Sequence, residues 1–164
     1  MEIERKFWMT GFPEGLCPVR ESVMYQGYIC TDPVVRIRST ETGGSTEYIL
    51  CFKGKGTLAR EEIETPIGAD LFEKLRAFIG TPLMRKDFKA YVLPAGEILE
   101  CSLVDQGEPD SFYYAEVEFP SIEEAMAFQP PAFLGRELTE DPSFTMSGYW
   151  KKKANAAKGL QQQP

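Results

Sequence analysis

No histidine occurs anywhere in the 164 residues of the chain. Imidazole is the commonest side chain titrating near neutrality, so its absence removes serine–histidine nucleophile pairs and imidazole metal sites together. The four cysteines, Cys17, Cys30, Cys51 and Cys101, show no CxxC spacing; they read as reduced thiols, not as zinc ligands. No apolar run approaches the roughly 18 residues a membrane span needs, and charge begins at Glu2, so neither a membrane segment nor a secretory leader is expected and the location reads as cytoplasmic. Bases are in the minority, 18 against 25 acids, for a net charge of −7. A chain of that sign repels phosphate polymers, which argues against nucleic acid as a partner, while a small polyanion stays compatible if the bases are gathered in one place. Chemistry here has to run on carboxylates, amines, guanidiniums, hydroxyls or a hard metal ion.

What the chain does have is period-two alternation. EIERKFWM (2–9), SVMYQGYIC (22–30), VVRIRST (34–40), TEYILCFKGK (46–55), AREEIETPI (59–67), KAYVLP (89–94), EILECSLVD (97–105) and FYYAEVEF (112–119) read as about eight strands. The connections, such as TDP (31–33), TGGS (42–45) and QGEPD (106–110), are short and rich in turn residues, so the sheet should be mainly antiparallel. GADLFEKLRAFIG (68–80) reads as a helix with Leu71, Leu75, Phe78 and Ile79 on one face, stopped by Gly80. SIEEAMAFQ (121–129) opens with Ser121 and Glu124 in capping-box spacing. One domain over 1–150 is expected, followed by a basic, Gln-rich tail over 151–164 that should fray.

Within the strands, fully charged residues stand two apart: Glu2, Glu4 and Lys6; Arg36 and Arg38; Lys53 and Lys55; Arg60, Glu62 and Glu64; Glu116 and Glu118. Each set shares a face, and apolar residues share the other. Periodicity alone fits a sheet with its polar face in solvent and fits equally a barrel with a charged interior. The choice of residues favours the second. Like charges side by side repel, and in a cavity they need a divalent cation on the acids and a polyphosphate on the bases. Ligation by carboxylate oxygen alone suits Mg2+ or Mn2+. The reaction class is then phosphoanhydride cleavage without a covalent enzyme intermediate.

EIERKF at the start, QGY (26–28), VRIR (35–38), the KG of CFKGKG, REEIE (60–64), RK (85–86), LECS (99–102), AEVEF (115–119) and LGRELTEDPSF (134–144) together resemble the CYTH family, the triphosphate tunnel metalloenzymes, over residues 1–150. The resemblance implies an α+β protein built on an eight-stranded antiparallel closed β-barrel, a tunnel with a charged interior and helices packed outside. It implies Glu2, Glu4 and Glu118 as metal ligands, with Glu116 on a second metal or orienting water. Lys6, Arg36, Arg38, Lys53 and Lys86 are implied as the phosphate-holding bases, Lys6 and Glu116 as the catalytic pair, and Glu62, Glu64 and Glu100 as supporting acids. The chain differs from the family pattern at Ser102, where an acid is common, and at Phe88, where a base is common; a bulge would be needed to bring Lys89 inward instead.

Lys55 and Arg60 are expected in solvent, Tyr28 and Tyr48 in packing, and Arg85 on the strand face opposite Lys86. The EIERKF form resembles the bacterial members that hydrolyse inorganic triphosphate to pyrophosphate and phosphate. A class IV-type adenylate cyclase, a nucleoside or thiamine triphosphatase, and a non-catalytic polyphosphate-binding module are the alternatives.

Overall fold

In the computed structural model, which describes residues 1–161, the strands form one sheet that closes almost completely on itself. The strands are β1 (Glu2–Met9), β2 (Arg20–Thr31), β3 (Val34–Thr42), β4 (Ser45–Lys53), β5 (Ala59–Arg60), β6 (Glu62–Pro66), β7 (Met84–Val92), β8 (Ile98–Val104) and β9 (Phe112–Glu118). Their order is β5-β1-β9-β8-β7-β2-β3-β4-β6, with antiparallel pairing throughout.

The count is nine and not eight because the segment expected to be one strand, 59–67, breaks at Glu61. Its first two residues pair with β1, Glu2 opposite Arg60, and the rest pairs with β4, Lys53 opposite Glu62. One short stretch of chain therefore joins the two edges of the sheet.

Hairpin chemistry sets the register. Gly43 and Gly44 both have positive φ, 57° and 84°, as a two-residue turn of the primed type requires, and they bring Thr42 opposite Ser45. β7 begins five residues earlier than the alternation in KAYVLP indicates. Arg85 and Asp87 pair on its outer face at 2.8 Å, so a polar run that resembles a turn is strand.

The apolar positions face outward. Ile3, Phe7, Leu99, Cys101, Ala115 and Val117 form a core with Phe119, Ala125, Phe128 and Leu134, under α2 (Ile122–Ala127), whose cap is the expected one: Ser121 Oγ accepts from the Glu124 N–H. Arg5 clamps this wall, donating to Glu137 at 2.8 and 2.7 Å and to the carbonyls of Ala125 and Phe128.

α1 (Ala69–Ile79) lies where expected but is rotated. It buries Phe72 on Tyr48, ring centroids 5.0 Å apart, and leaves Leu71 and Phe78 exposed. The packing row is i, i+3, i+7 from Phe72 to Ile79.

α3 (Met146–Gln161) runs through most of the segment expected to fray. Tertiary contacts hold it: Trp150 is buried against Tyr28 and Met84, and the Asp105 carboxylate accepts from Tyr149 Oη at 2.7 Å and Lys153 Nζ at 3.0 Å. Gly27 sits beneath this helix; a Cβ there would collide with Leu83 and come within 3.2 Å of Trp150. Among the described residues no helix is long and apolar enough to cross a membrane.

Candidate functional site: the charged tunnel

Strand alternation carries the polar residues into the barrel. One cavity of about 460 Å³ is lined by Glu2, Glu4 and Lys6 from β1, Arg36 and Arg38 from β3, Lys53 from β4, Glu62 and Glu64 from β6, Lys86 from β7, Glu100 from β8, and Glu116 and Glu118 from β9. Every residue singled out from the sequence for metal, phosphate or supporting roles thus faces the same space. Lys55 is exposed. Tyr48 packs on α1, while Tyr28 is buried and also lines the tunnel.

The arrangement has two banks. On the β1 side the acids are paired. Glu2 accepts from Lys53 Nζ at 2.7 Å and Arg60 Nε at 2.8 Å. Burial pushes its carboxyl up, but those two cations outweigh the effect and hold it down at about 2. Glu4 lies 2.7 Å from Lys6 and 3.0 Å from Arg60; burial and the neighbouring Glu116 raise it above the ordinary carboxylate range. Glu116, 3.5 Å from Lys6, is held below that range because Lys6, Lys86 and Lys53 outweigh its burial.

Arg60 corrects the expectation of a solvated base. It stands two residues before Glu62 in the same alternation, and strand pairing opposite Glu2 delivers its guanidinium to both acids. Pairing across sequence-distant strands is what could not be read locally.

Carboxylate oxygens of Glu2, Glu62 and Glu118 lie within 4.8 Å of one another. Glu4, expected as the third member, is instead drawn to Lys6 and Arg60. Glu118 makes no ion pair among the described residues, and burial together with Glu2, Glu4, Glu62 and Glu116 raises its carboxyl. Glu2 is shared with Lys53 and Arg60, and Glu62 with Lys53 and Arg36, so Glu118 is the one of the three without an ion pair among the described residues; carboxylate oxygens are the donor type that a hard dication takes.

The opposite bank, β3 with β7, is positive and underpaired. Arg36 reaches Glu62 at 3.6 Å and Arg38 reaches Glu64 at 3.2 Å. The Nε atoms of both arginines are nevertheless buried without a hydrogen-bond partner among the described residues. Lys86, 6% exposed, donates to Tyr114 Oη at 2.6 Å; burial, with Arg36, Arg38 and Lys53 near, lowers it to about 7 although Glu116 opposes.

At the two positions that differ from the family pattern, Ser102 and Phe88 are opposed across β7 and β8 and both line the tunnel. No bulge brings Lys89 inward. It lies outside, over the Phe12 ring at 5.0 Å and 3.4 Å from Glu21. Arg20, at the start of β2, enters the tunnel lining instead; its place beyond the recognisable motif hid it.

No family model matches the chain. An inorganic triphosphatase of Nitrosomonas europaea is 35% identical over 144 residues, 87% of this chain and 92% of the relative. An inorganic triphosphatase of Acetivibrio thermocellus is 31% identical over 161 residues, 92% and 93% of the two chains. The crystal structure of an inorganic triphosphatase superposes with a TM-score of 0.57 at 32% identity, covering 91% of this chain and 93% of that one. With identity above 30% sustained over almost the whole length, and the same barrel around inward-facing charge, the chain belongs to the CYTH family of triphosphate tunnel enzymes.

Proposed function

We propose that the protein hydrolyses inorganic triphosphate to pyrophosphate and phosphate, with Mg2+ or Mn2+ as cofactor. The observation that carries this reading is the pair of buried Nε–H groups of Arg36 and Arg38 left without acceptors inside the tunnel. A buried donor without a partner is costly, and phosphoryl oxygens supply acceptors of matching charge and geometry. Lys86 extends the same bank, and Lys53, shared between Glu2 and Glu62, stands where the two banks meet. The relatives named above carry the same activity in their names.

Glu2, Glu62 and Glu118 would hold the cation, with Glu4 beside them. When bound, it contributes shielding of phosphate oxygens and acidification of water. The chain's own part is positional. Arg36, Arg38, Lys53 and Lys86 fix the polyphosphate, so that its bridging oxygen leaves with charge already neutralised. Glu116, kept charged by its lysines, accepts a hydrogen bond from the attacking water and aims it at the terminal phosphorus. Lys6, between Glu4 and Glu116, holds both in place. The water oxygen bonds to phosphorus and its proton passes by way of Glu116 to solvent, while the phosphoanhydride P–O bond breaks and pyrophosphate departs with the bonding electron pair.

Attack by a protein nucleophile is disfavoured. Burial raises the hydroxyls of Tyr28 and Tyr114, and Cys51, also pushed up by burial, donates its thiol proton to Glu62 at 3.3 Å. Phosphate release from tripolyphosphate with Mg2+ or Mn2+, run beside ATP and thiamine triphosphate, tests the reading. The expected result is turnover of tripolyphosphate at least tenfold above the other two; pyrophosphate release from ATP with formation of a cyclic nucleotide would replace it by the cyclase alternative.

A further inference from the structure

At the end of the tunnel away from α3, Arg20, Glu100 and Glu118 line both the tunnel and a second hollow of about 770 Å³ outside it. These three residues therefore form the threshold between them. Arg20 is opposite Ala90 on β7, Ala90 is opposite Glu100 on β8, and Glu100 is opposite Glu116 on β9. The small Ala90 side chain leaves room for the guanidinium to cross β7 and reach Glu100 Oε1 at 3.0 Å.

The guanidinium lies 5.0 Å over the ring of Phe88, which is buried and faces inward. Stacking of this kind holds the plane of the group and leaves its N–H edge to hydrogen-bond. A guanidinium carries five N–H donors, and the bond to Glu100 uses one. Half of the side chain is exposed, 50%, so the group is oriented yet not committed. Its partner is a weak rival for an anion, since burial and Glu116 raise the Glu100 carboxyl to about 7 despite Arg20 and Arg38.

Beyond the threshold the charge reverses. Glu97, Glu100, Glu118 and Glu124 border the outer hollow, and among the described residues Arg20 is its one basic member. A polyanion lying along the basic bank meets its last cation at Arg20 and acidic residues after it.

Building on the proposed triphosphatase reading, we propose that Arg20 is the outermost anion contact of the tunnel, exchanging Glu100 for the distal phosphoryl group of a short polyphosphate and ending the run of positive charge there. Arg20 would then set both the affinity for the third phosphoryl group and the limit on chain length.

Steady-state kinetics of wild-type protein, Arg20→Ala and Arg20→Lys, with tripolyphosphate and long-chain polyphosphate, test this. In Arg20→Ala, KM for tripolyphosphate should rise about tenfold, as for loss of one exposed charge-assisted contact, with kcat within twofold. The salt dependence of kcat/KM should become shallower, and Arg20→Lys should recover part of the loss. Glu100→Gln should lower KM, because it removes the competing carboxylate. Wild-type protein should turn over long-chain polyphosphate at least tenfold less efficiently than tripolyphosphate. An unchanged KM in Arg20→Ala with an active wild type overturns the role of Arg20 alone. Absence of tripolyphosphate turnover in the wild type overturns the triphosphatase reading and this inference with it.

Discussion

Along β1 the buried acids have found bases within the protein: Glu2 holds Lys53 and Arg60, and Glu4 holds Lys6 and Arg60. Across the tunnel, on β3 and β7, the buried Arg36 and Lys86 and the half-buried Arg38 have fewer partners than they could take. Arg36 and Arg38 keep unpartnered Nε atoms, and Lys86 meets only a neutral phenol among its hydrogen bonds. Both banks come from the same alternation in strands on opposite sides of the barrel, yet their charges are balanced differently. The paired bank ties β1 to β4 and β5 through Lys53 and Arg60, and in the proposed reading the underpaired one keeps charge ready for an anion that the chain does not itself supply. Removing a charge from the first should cost stability, and from the second, affinity.

The largest effect expected on function is from Arg38→Ala. It should lower kcat/KM for tripolyphosphate by about 10³-fold, as for two lost charge-assisted hydrogen bonds to phosphoryl oxygens, while the urea midpoint of the ligand-free protein stays close to that of wild type. Arg60→Ala should do the reverse in kind, costing about 3 kcal/mol of stability by leaving Glu2 and Glu4 buried without their shared partner; equilibrium urea unfolding measures it. A loss of stability in Arg38→Ala as large as that in Arg60→Ala would erase the distinction between the banks.

Lys86→Met sharpens the contrast through pH. In the folded protein Lys86 gives up its proton at about 7, against 10.5 as its ordinary value. Over that window the unfolded chain binds more protons, so this residue makes ligand-free stability rise as pH goes up from 7 to 10.5. The variant should lack that component, unfold at a higher temperature than wild type at pH 7, and gain less protection from tripolyphosphate. Thermal melts at several pH values, with and without tripolyphosphate, measure all three.

The alternation was legible in the sequence because period two survives any tertiary arrangement, and it placed Glu2, Glu4, Lys6, Arg36, Arg38 and the rest on common faces. Which way those faces point was not legible from periodicity, since an inner and an outer polar face give the same pattern; the type of residue and the family resemblance settled on the interior, as observed. Contacts between distant segments escaped local reading altogether. Arg60 reaches its acids only because β5 pairs with β1. Glu62 takes its place beside Glu2 and Glu118 because β6 begins at the same seam. The KKKANAAKGLQ segment is helical because Trp150 and Lys153 have binding places on the barrel, and its own composition reveals neither.

The hoop is fastened by two residues. Ala59 and Arg60 supply the pairing with β1, Leu58 accepts from the Glu4 N–H at 3.0 Å beside them, and Arg60 is also the side chain that bolts Glu2 to Glu4. Closure of the wall and neutralisation of its acids are thus one event. A transient parting at this clasp would unhook the guanidinium, set two carboxylates against each other and let water in at the same moment, so the ring has every reason to stay shut or to give way as a whole.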